Sequence, residues 1–532
     1  MLNSHRKYTK YSEGHFIPVT FSSFNCSELL SLEKDRNDFL EPELDFLSRL
    51  KLCENDDMDQ LNEPGNPRNS LSSMGVLGIK ENISVQIPEE VMEMMKPFRP
   101  SESNYRNVTK RLELDMNMGL DPAHRDKACV KMFPSYVSKV PSGKEKGQFM
   151  ALDLGGTNYR ILLVTLKGNN APPEIIESTY AIPEIKMSGP GEALFDFIAE
   201  TINDFLKSKK IPDKTISLGF TFSFPCNQKG LDVGILTRWT KGFSATNVEG
   251  KNVVELLGVA LKKLNLKVSC KALVNDTVGT LASCSFEHPD CAIGLIVGTG
   301  SNACYIEDLS KVLTVDKTAL MKNAKFIIIN TEWGAFGENG TLEDIRTKYD
   351  RAMDKNSLHP GKQIFEKLIS GMYLGEIVRL VLVELIEKKL LFKGNLPDAM
   401  RKPYSFLTKY MSDCERDPPH LHYSTEYMLR NELLVNTIDS LDCKIIRYCC
   451  EIVARRAAYL AGSAIAVLIN KMNRPTVTIG VDGSLFRHHP SFAANMNAII
   501  KQFKNPKCEF RLKLSEDGSG KGAAAIVAAH SF

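Results

Sequence analysis

A chain of 532 residues can bury a large core and points to more than one domain, and its 43% apolar and 25% charged content is ordinary for a soluble globular protein. A formal net charge of +3 gives no reason to expect nucleic acid or an anionic membrane as a partner. The 13 cysteines include no pair at zinc-knuckle or redox-motif spacing, which reads as reduced thiols in a cytosolic protein.

No apolar stretch follows the early basic residues, so neither a secretory signal nor an anchor is expected. No segment carries about 18 continuous apolar residues, so no membrane span is expected. The Asn-x-Ser/Thr tripeptides at Asn25, Asn82, Asn107, Asn275 and Asn339 read as chance occurrences in an intracellular chain. Residues 1–80 are rich in Ser, Asn, Asp and Glu and close with NEPGNPRNSLSS, the composition of a disordered extension. Within it, Leu40, Leu44, Phe46, Leu47 and Leu50 share one side of a short helix over Phe39–Leu52. A partner for this extension cannot be named from its residues.

Helical patterning runs from Pro88 to Leu120. Next comes FMALDLGGTNYRILLVTL at 149–166, an apolar segment that delivers Asp153 to a Gly155-Gly156 turn and returns as a second apolar segment. The acid can hold a hydrated cation, while the bare backbone and Thr157 offer donors to phosphate oxygens. A helix at 194–208 precedes a strand at Ile216–Phe220, and a helix at 252–266 leads to VNDT, which is alternating α/β construction. The motif then recurs: CAIGLIVGTGSNACYIED at 291–308 is again apolar segment, glycine turn with Thr299, and apolar return. Gly298 lies too far after Gly156 for a solenoid period, and the spacing suits duplicated domains whose glycine turns hold a polyphosphate from both sides. Helical runs at 363–394 and 452–470 belong to the larger second domain. TVTIGVDGS at 476–484 is a strand ending in an acid and a glycine turn, and GAAAIVAAHSF closes the chain as a helix.

Four constellations are candidates for chemistry. SLGFTFSFPC places Thr221 and Ser223 after a strand, and RWTKGF adds Thr240 and Lys241; alone, these read as strand-ending hydroxyls and a solvent-facing lysine, together as donors and acceptors for a polyol. In VNDTVGTL, Asp276 is either a helix cap or the base for an alcohol, accepting the proton as the new P–O bond forms. Glu332 in NTEWGAFG and Glu366 in IFEKL can each accept hydrogen bonds from two sugar hydroxyls, although Glu366 alone reads as a solvated helix-face residue. DGSGKGAAA fails as a Walker A loop, since Lys521 is followed by Gly522 and no suitable strand is evident before it. Gly518–Gly522 reads instead as backbone approaching a nucleotide base or ribose just before a helix, or as a plain helix entry.

Joined in order, MFPSYV, ALDLGGTNYRILLV, LGFTFSFPC, TRWTKGF, VNDTVGT, GLIVGTGSNACY, NTEWGAFG and LSEDGSGKGAA resemble an animal-type hexokinase of the sugar kinase and actin-like superfamily, over about 85–530. The resemblance implies an α/β, two-domain actin-like ATPase (ribonuclease H-like) fold with a cleft between a small and a large domain. It divides the chain into the extension, a helical part of the large domain at 81–137, a small domain at 138–273, a large domain at 274–515, and a nucleotide-contacting turn with a short helix at 516–532. It implies ATP-dependent phosphorylation of glucose and related hexoses at the 6-hydroxyl, the first step of glycolysis. The implied hexose site is Ser223, Thr240, Lys241, Asn275, Asp276, Asn302, Glu332 and Glu366, with Asp276 as base and Lys241 as its catalytic companion. The implied nucleotide site is Asp153, Gly155, Gly156, Thr157, Asn158, Thr299, Gly300, Gly483, Ser484, Gly518 and Ser519, and Mg²⁺ of Mg-ATP would meet Asp153 through water.

The family helix after GKGAAA is longer than the segment ending at Phe532, and one kinase unit is present. ISGMYLGE at 369–376 resembles general animal hexokinases rather than the glucokinase branch. A cytoplasmic monomer follows, with peripheral association with mitochondria and product inhibition by glucose 6-phosphate left open. An inactive sugar sensor would lack Asp276, Lys241 or a phosphate loop; an actin-like structural ATPase would lack the hexose set.

Overall fold

Two β-sheets built on one plan organise the computed structural model, which describes residues 87–531 apart from Thr157, 316–323, Pro419 and 516–517. The extension expected over residues 1–80, with its helix at Phe39–Leu52, lies outside the described residues, which all fall in one unit, Gly75–Phe532.

Helices α1 (Glu89–Met95) and α2 (Glu102–Leu120) come first. Ser101 and Asn104 start α2 as a reciprocal cap, each side chain taking the other's backbone N–H. Strand β1 (Phe133–Pro134) is followed by β2 (Lys146–Leu154), β3 (Asn158–Lys167), β4 (Glu174–Ala181), α3 (Gly191–Ser208), β5 (Ile216–Phe222), a hairpin of β6 (Cys226–Gly230) and β7 (Val233–Leu236), α4 (Val253–Lys263) and β8 (Val268–Val274). Helix α5 (Asp276–Glu287) leads to β9 (Cys291–Val297), β10 (Ser301–Asp308) and β11 (Phe326–Asn330). After these come α6 (Lys348–Lys355), α7 (Ile364–Ile369), α8 (Gly371–Glu387), α9 (Thr408–Arg416), α10 (Ser440–Met472), β12 (Thr476–Asp482), α11 (Phe492–Phe503), β13 (Glu509–Leu514) and α12 (Gly518–His530). The helical run expected at 363–394 is interrupted at Ser370, whose extended backbone separates α7 from α8.

The first sheet has the order β4-β3-β2-β5-β8, the second β1-β11-β10-β9-β12-β13. In each, a strand pairs antiparallel with its successor across a glycine turn and parallel with a later strand: β2 with β3 and β5, β9 with β10 and β12. The repetition noticed at the glycine turns therefore extends to whole sheets. Side-chain alternation sorts β2 between two cores: Met150, Leu152 and Leu154 pack with α3 and α4, while Ala151 joins the core shared by the second sheet.

Helix α5 leaves the last strand of the first sheet and packs on β9 and β12 of the second; α12 leaves the last strand of the second and packs on β2 and β5 of the first. The two helices meet where a Cβ on Gly522 would collide with the Gly279 carbonyl and one on Gly279 would stand 2.6 Å from the Ser519 carbonyl. Only hydrogen side chains permit that approach. Helix α10 is long and apolar enough to cross a membrane, which the sequence reading did not anticipate, yet 94% of its apolar window is buried inside the molecule.

Candidate active site

Strand ends and one helix start gather the carboxylates. Asn275 ends the approach from β8 and caps α5, its Oδ1 accepting the Thr277 N–H at 2.9 Å and the Thr277 hydroxyl at 2.6 Å. The capping role considered for Asp276 thus belongs to Asn275, and Asp276 is the first helical residue, with Oδ1 also accepting the Thr277 N–H at 2.9 Å. Its carboxylate stands in the first turn, where unpaired N–H groups favour negative charge.

Glu332 follows β11 with φ +54°, in the left-handed region, and its Oε1 accepts N–H bonds from Asn330 Nδ2 at 2.8 Å and Asn302 Nδ2 at 3.1 Å. Burial pushes the Glu332 carboxyl above its ordinary value; the Asn330 bond pulls it back, the Asp276 charge raises it, and Lys241 and Asn302 lower it. Glu366, read in isolation as a solvated face residue, is turned inward: its Oε2 accepts the Ser301 N–H at 2.9 Å. Burial raises its carboxyl to about 6, against the pull of that N–H, with Glu332 and Asp276 adding to the rise and Lys241 opposing it. Lys241 is exposed, the solvent-facing position expected of it taken alone, with φ +55° and Nζ 5.7 Å from the centre of the Phe224 ring. Thr240 is half-buried with its carbonyl accepting the Phe243 N–H, and Ser223 is buried beside Gly155, where a Cβ would lie 3.8 Å from its Oγ.

The glycine turns have different neighbours. At the first, register sets Asp153 opposite Arg160 on β3 and Thr221 on β5. Asp153 Oδ2 accepts from Arg160 Nη2 at 2.9 Å and from the Ser519 hydroxyl at 2.7 Å, while Thr221 donates to the Ser519 carbonyl at 3.0 Å. Thr157 lies outside the described residues, and Asn158 opens β3 exposed. At the second, Gly371 donates to the Gly298 carbonyl at 2.7 Å and Met372 to that of Thr299 at 3.1 Å, so α8 begins on this loop. Gly483, with φ +120°, comes so close that a Cβ on Gly298 would be 3.3 Å from its Cα; Thr299 and Ser484 stand exposed beside it.

Two expectations about the C-terminal motif change. A strand does precede it, since β13 ends at Leu514. Its glycines lie inside α12 rather than before a helix, with Gly518 buried against Thr280 and Gly520 against Leu162. Their smallness serves helix packing, and Ser519 is bonded to Asp153 and Thr221.

Among the described residues no three His, Cys, Asp or Glu converge as a metal cage. Asp153 fits a hard cation that arrives with phosphate oxygens: one carboxylate oxygen is held by Arg160 and Ser519, and the other is turned to no hydrogen bond among the described residues. Sequence reasoning missed Arg160, Ser301 and Asn330. Arg160 was findable from two-residue alternation in a strand facing Asp153; Asn330 opens the NTEWG segment but gave no sign of reaching Asn302.

Family models described as Hexokinase match residues 90–286 and 292–529. The hexokinase of Schistosoma mansoni is 55% identical over 443 residues, covering 83% of this chain and 97% of the relative. The chain belongs to the hexokinase family. A solved structure of the Schistosoma mansoni hexokinase complexed with glucose superposes with a TM-score of 0.77 over 83% of this chain and 98% of that one. A second hexokinase structure, 32% identical, gives 0.72 over the same shares. Hexokinase-1 of Rattus norvegicus is 45% identical over 447 residues, 82% of this chain but 48% of the relative, so the chain spans about half the length of that hexokinase. The two-sheet architecture is thus the actin-like ATPase fold of hexokinases, and the chemistry is ATP-dependent phosphorylation of a hexose.

Proposed function

We propose that this chain moves the terminal phosphoryl group of ATP to the 6-hydroxyl of glucose or a related hexose, with Asp276 accepting the hydroxyl proton. The observation that carries the reading is the gathering of inward-turned Glu332 and Glu366, each held by an N–H donor, within reach of the charges of Asp276 and Lys241. Asn302, Glu332, Glu366 and Asn275 would hold the ring hydroxyls, with Ser223 closing from the end of β5 and Thr240 from the loop after β7. A carboxylate need not deprotonate an alcohol beforehand; it need only take the proton as the P–O bond forms. Lys241 would offset charge on the moving phosphoryl group. Mg²⁺, when bound with ATP, would neutralise phosphate oxygens, and Asp153 would meet it through water. Gly155, Gly156, Thr157 and Asn158 would flank one side of the phosphates, Thr299 and Gly300 the other, with Gly483, Ser484, Gly518 and Ser519 towards adenosine.

In this reading a small domain at 138–273 and a large domain at 274–515, which includes the helical part at 81–137, close on the sugar and exclude water as the competing nucleophile. The enzyme works as a cytoplasmic monomer. A coupled assay of ADP formation with a panel of hexoses, titrated with glucose 6-phosphate, tests the substrate class. Asp276→Ala is expected to lose about 10²–10⁴ in kcat while still binding hexose; near-normal kcat would overturn the assignment. Lys241→Ala should lower kcat more than it raises KM.

A further inference from the structure

Asn330 joins two groups of the proposed hexose site, Asn302 and Glu332. Its Oδ1 accepts an N–H from Asn302 Nδ2 at 2.8 Å, and its own Nδ2 donates to Glu332 Oε1 at 2.8 Å. Asn302 Nδ2 also donates to the same Glu332 oxygen at 3.1 Å, which closes a ring of three side chains. Asn302 is fixed from the other side, because its Oδ1 accepts the Ala303 N–H at 2.8 Å. The β10–β11 register pairs Cys304 with Asn330, so Asn302 projects on the same face two residues further along.

Every element of this ring bears on Glu332. That residue has left-handed backbone, a conformation that is unfavourable for a non-glycine residue. Nothing in its own backbone preference would hold its carboxylate in place, and among the described residues its hydrogen bonds come from the two amides alone. Both fall on Oε1, leaving Oε2 for hydroxyl donors. Asn330 is buried, and its amide is committed to Asn302 and Glu332.

Resting on the hexose reading above, we infer that Asn330 is a positioning residue for substrate recognition: it holds Glu332 by Oε1, so that Oε2 is aimed to accept hydrogen bonds from hexose hydroxyls. The groups facing Glu332 are Asp276 at the start of α5, Glu366 on α7, Cys226 on β6 and Lys241 in the loop after β7. Two acids oppose one cation there, so loss of the Asn330 donor moves the Glu332 carboxyl further upward.

The test is steady-state kinetics of the full chain with hexose varied at saturating Mg-ATP, between pH 5.5 and 8.5, on Asn330→Leu and Asn330→Asp. Asn330→Leu is expected to raise the hexose KM about tenfold or more, with the KM for ATP and kcat at saturating hexose within about twofold of the parent. The acidic limb of kcat/KM for hexose should move to higher pH. Asn330→Asp keeps the shape and carries the test if the leucine variant does not fold. When protonated, its introduced carboxyl can donate to Glu332 Oε1; when ionised it repels. Its KM should therefore improve relative to the parent as pH falls, opposite in sign to the leucine variant. Equal loss of kcat and kcat/KM with an unmoved acidic limb, or a parent-like KM in Asn330→Asp across the range, overturns the inference. A parent enzyme that forms no hexose-dependent ADP instead overturns the functional reading.

Discussion

Burial and ionisation pull against each other at Glu366. Its carboxyl is raised to about 6 chiefly by burial, yet the ionised form is the stronger acceptor for the Ser301 N–H and for the sugar hydroxyl proposed to meet it. A carboxyl raised on folding binds protons more tightly in the folded than in the unfolded state, so it costs stability as pH rises from about 4.5 through about 6. Glu366→Gln is therefore expected to stabilise the protein at pH 8 by about 2 kcal/mol in urea unfolding, with the gain vanishing near pH 4.5, while raising the hexose KM. An unchanged midpoint at pH 8 would show that the burial penalty is met elsewhere. Glu332 was legible in sequence because a lone acid beside Trp333 and a glycine has few structural uses. Asn330 was not, because what identifies it is a partner on another strand. Ser519 was read from the sequence as an adenosine contact, and its bond to Asp153 joins parts of the chain that no local pattern relates.

At the scale of elements, the crossing of α5 and α12 decides where Asp276 sits. The glycines of GSGKG read as backbone approaching a nucleotide base or ribose, or as a plain helix entry, since glycine in sequence says only that a side chain is unwelcome. In the fold the unwelcoming neighbour is the Gly279 backbone. Gly522→Ala should drive the helices apart, costing about 1–3 kcal/mol in chemical denaturation and lowering kcat as α5 carries Asp276 out of line. A variant with full stability and activity would mean that the crossing tolerates a methyl group. The strands either side of each glycine turn were plain from their apolar runs, whereas β13 was overlooked because its exposed edge alternates Phe510 and Leu512 with charged residues.

Across the whole molecule, α10 ties the second sheet to the N-terminal helices. Its Arg456 is fully buried, bonds both oxygens of Asp350 on α6 at 2.7 Å, and lies 4.6 Å from the centre of the Phe98 ring. Burial alone would raise the Asp350 carboxyl, but Arg456 and the Thr347 donors hold it below its ordinary value. Asp350→Ala strands the guanidinium and should cost about 3–5 kcal/mol in urea unfolding, more than the double variant that also replaces Arg456 with Met. Equal costs would show that the pair contributes packing and no charge pairing. The sequence by itself determined the family, the α/β alternation and the twin glycine turns, because each rests on local patterning or a contiguous motif. Only the tertiary structure decided which helix packs on which sheet, which amides hold Glu332, and that the C-terminal glycines serve a helix crossing. Those are pairings between residues far apart in the chain, and their energies exist only once both partners are in place.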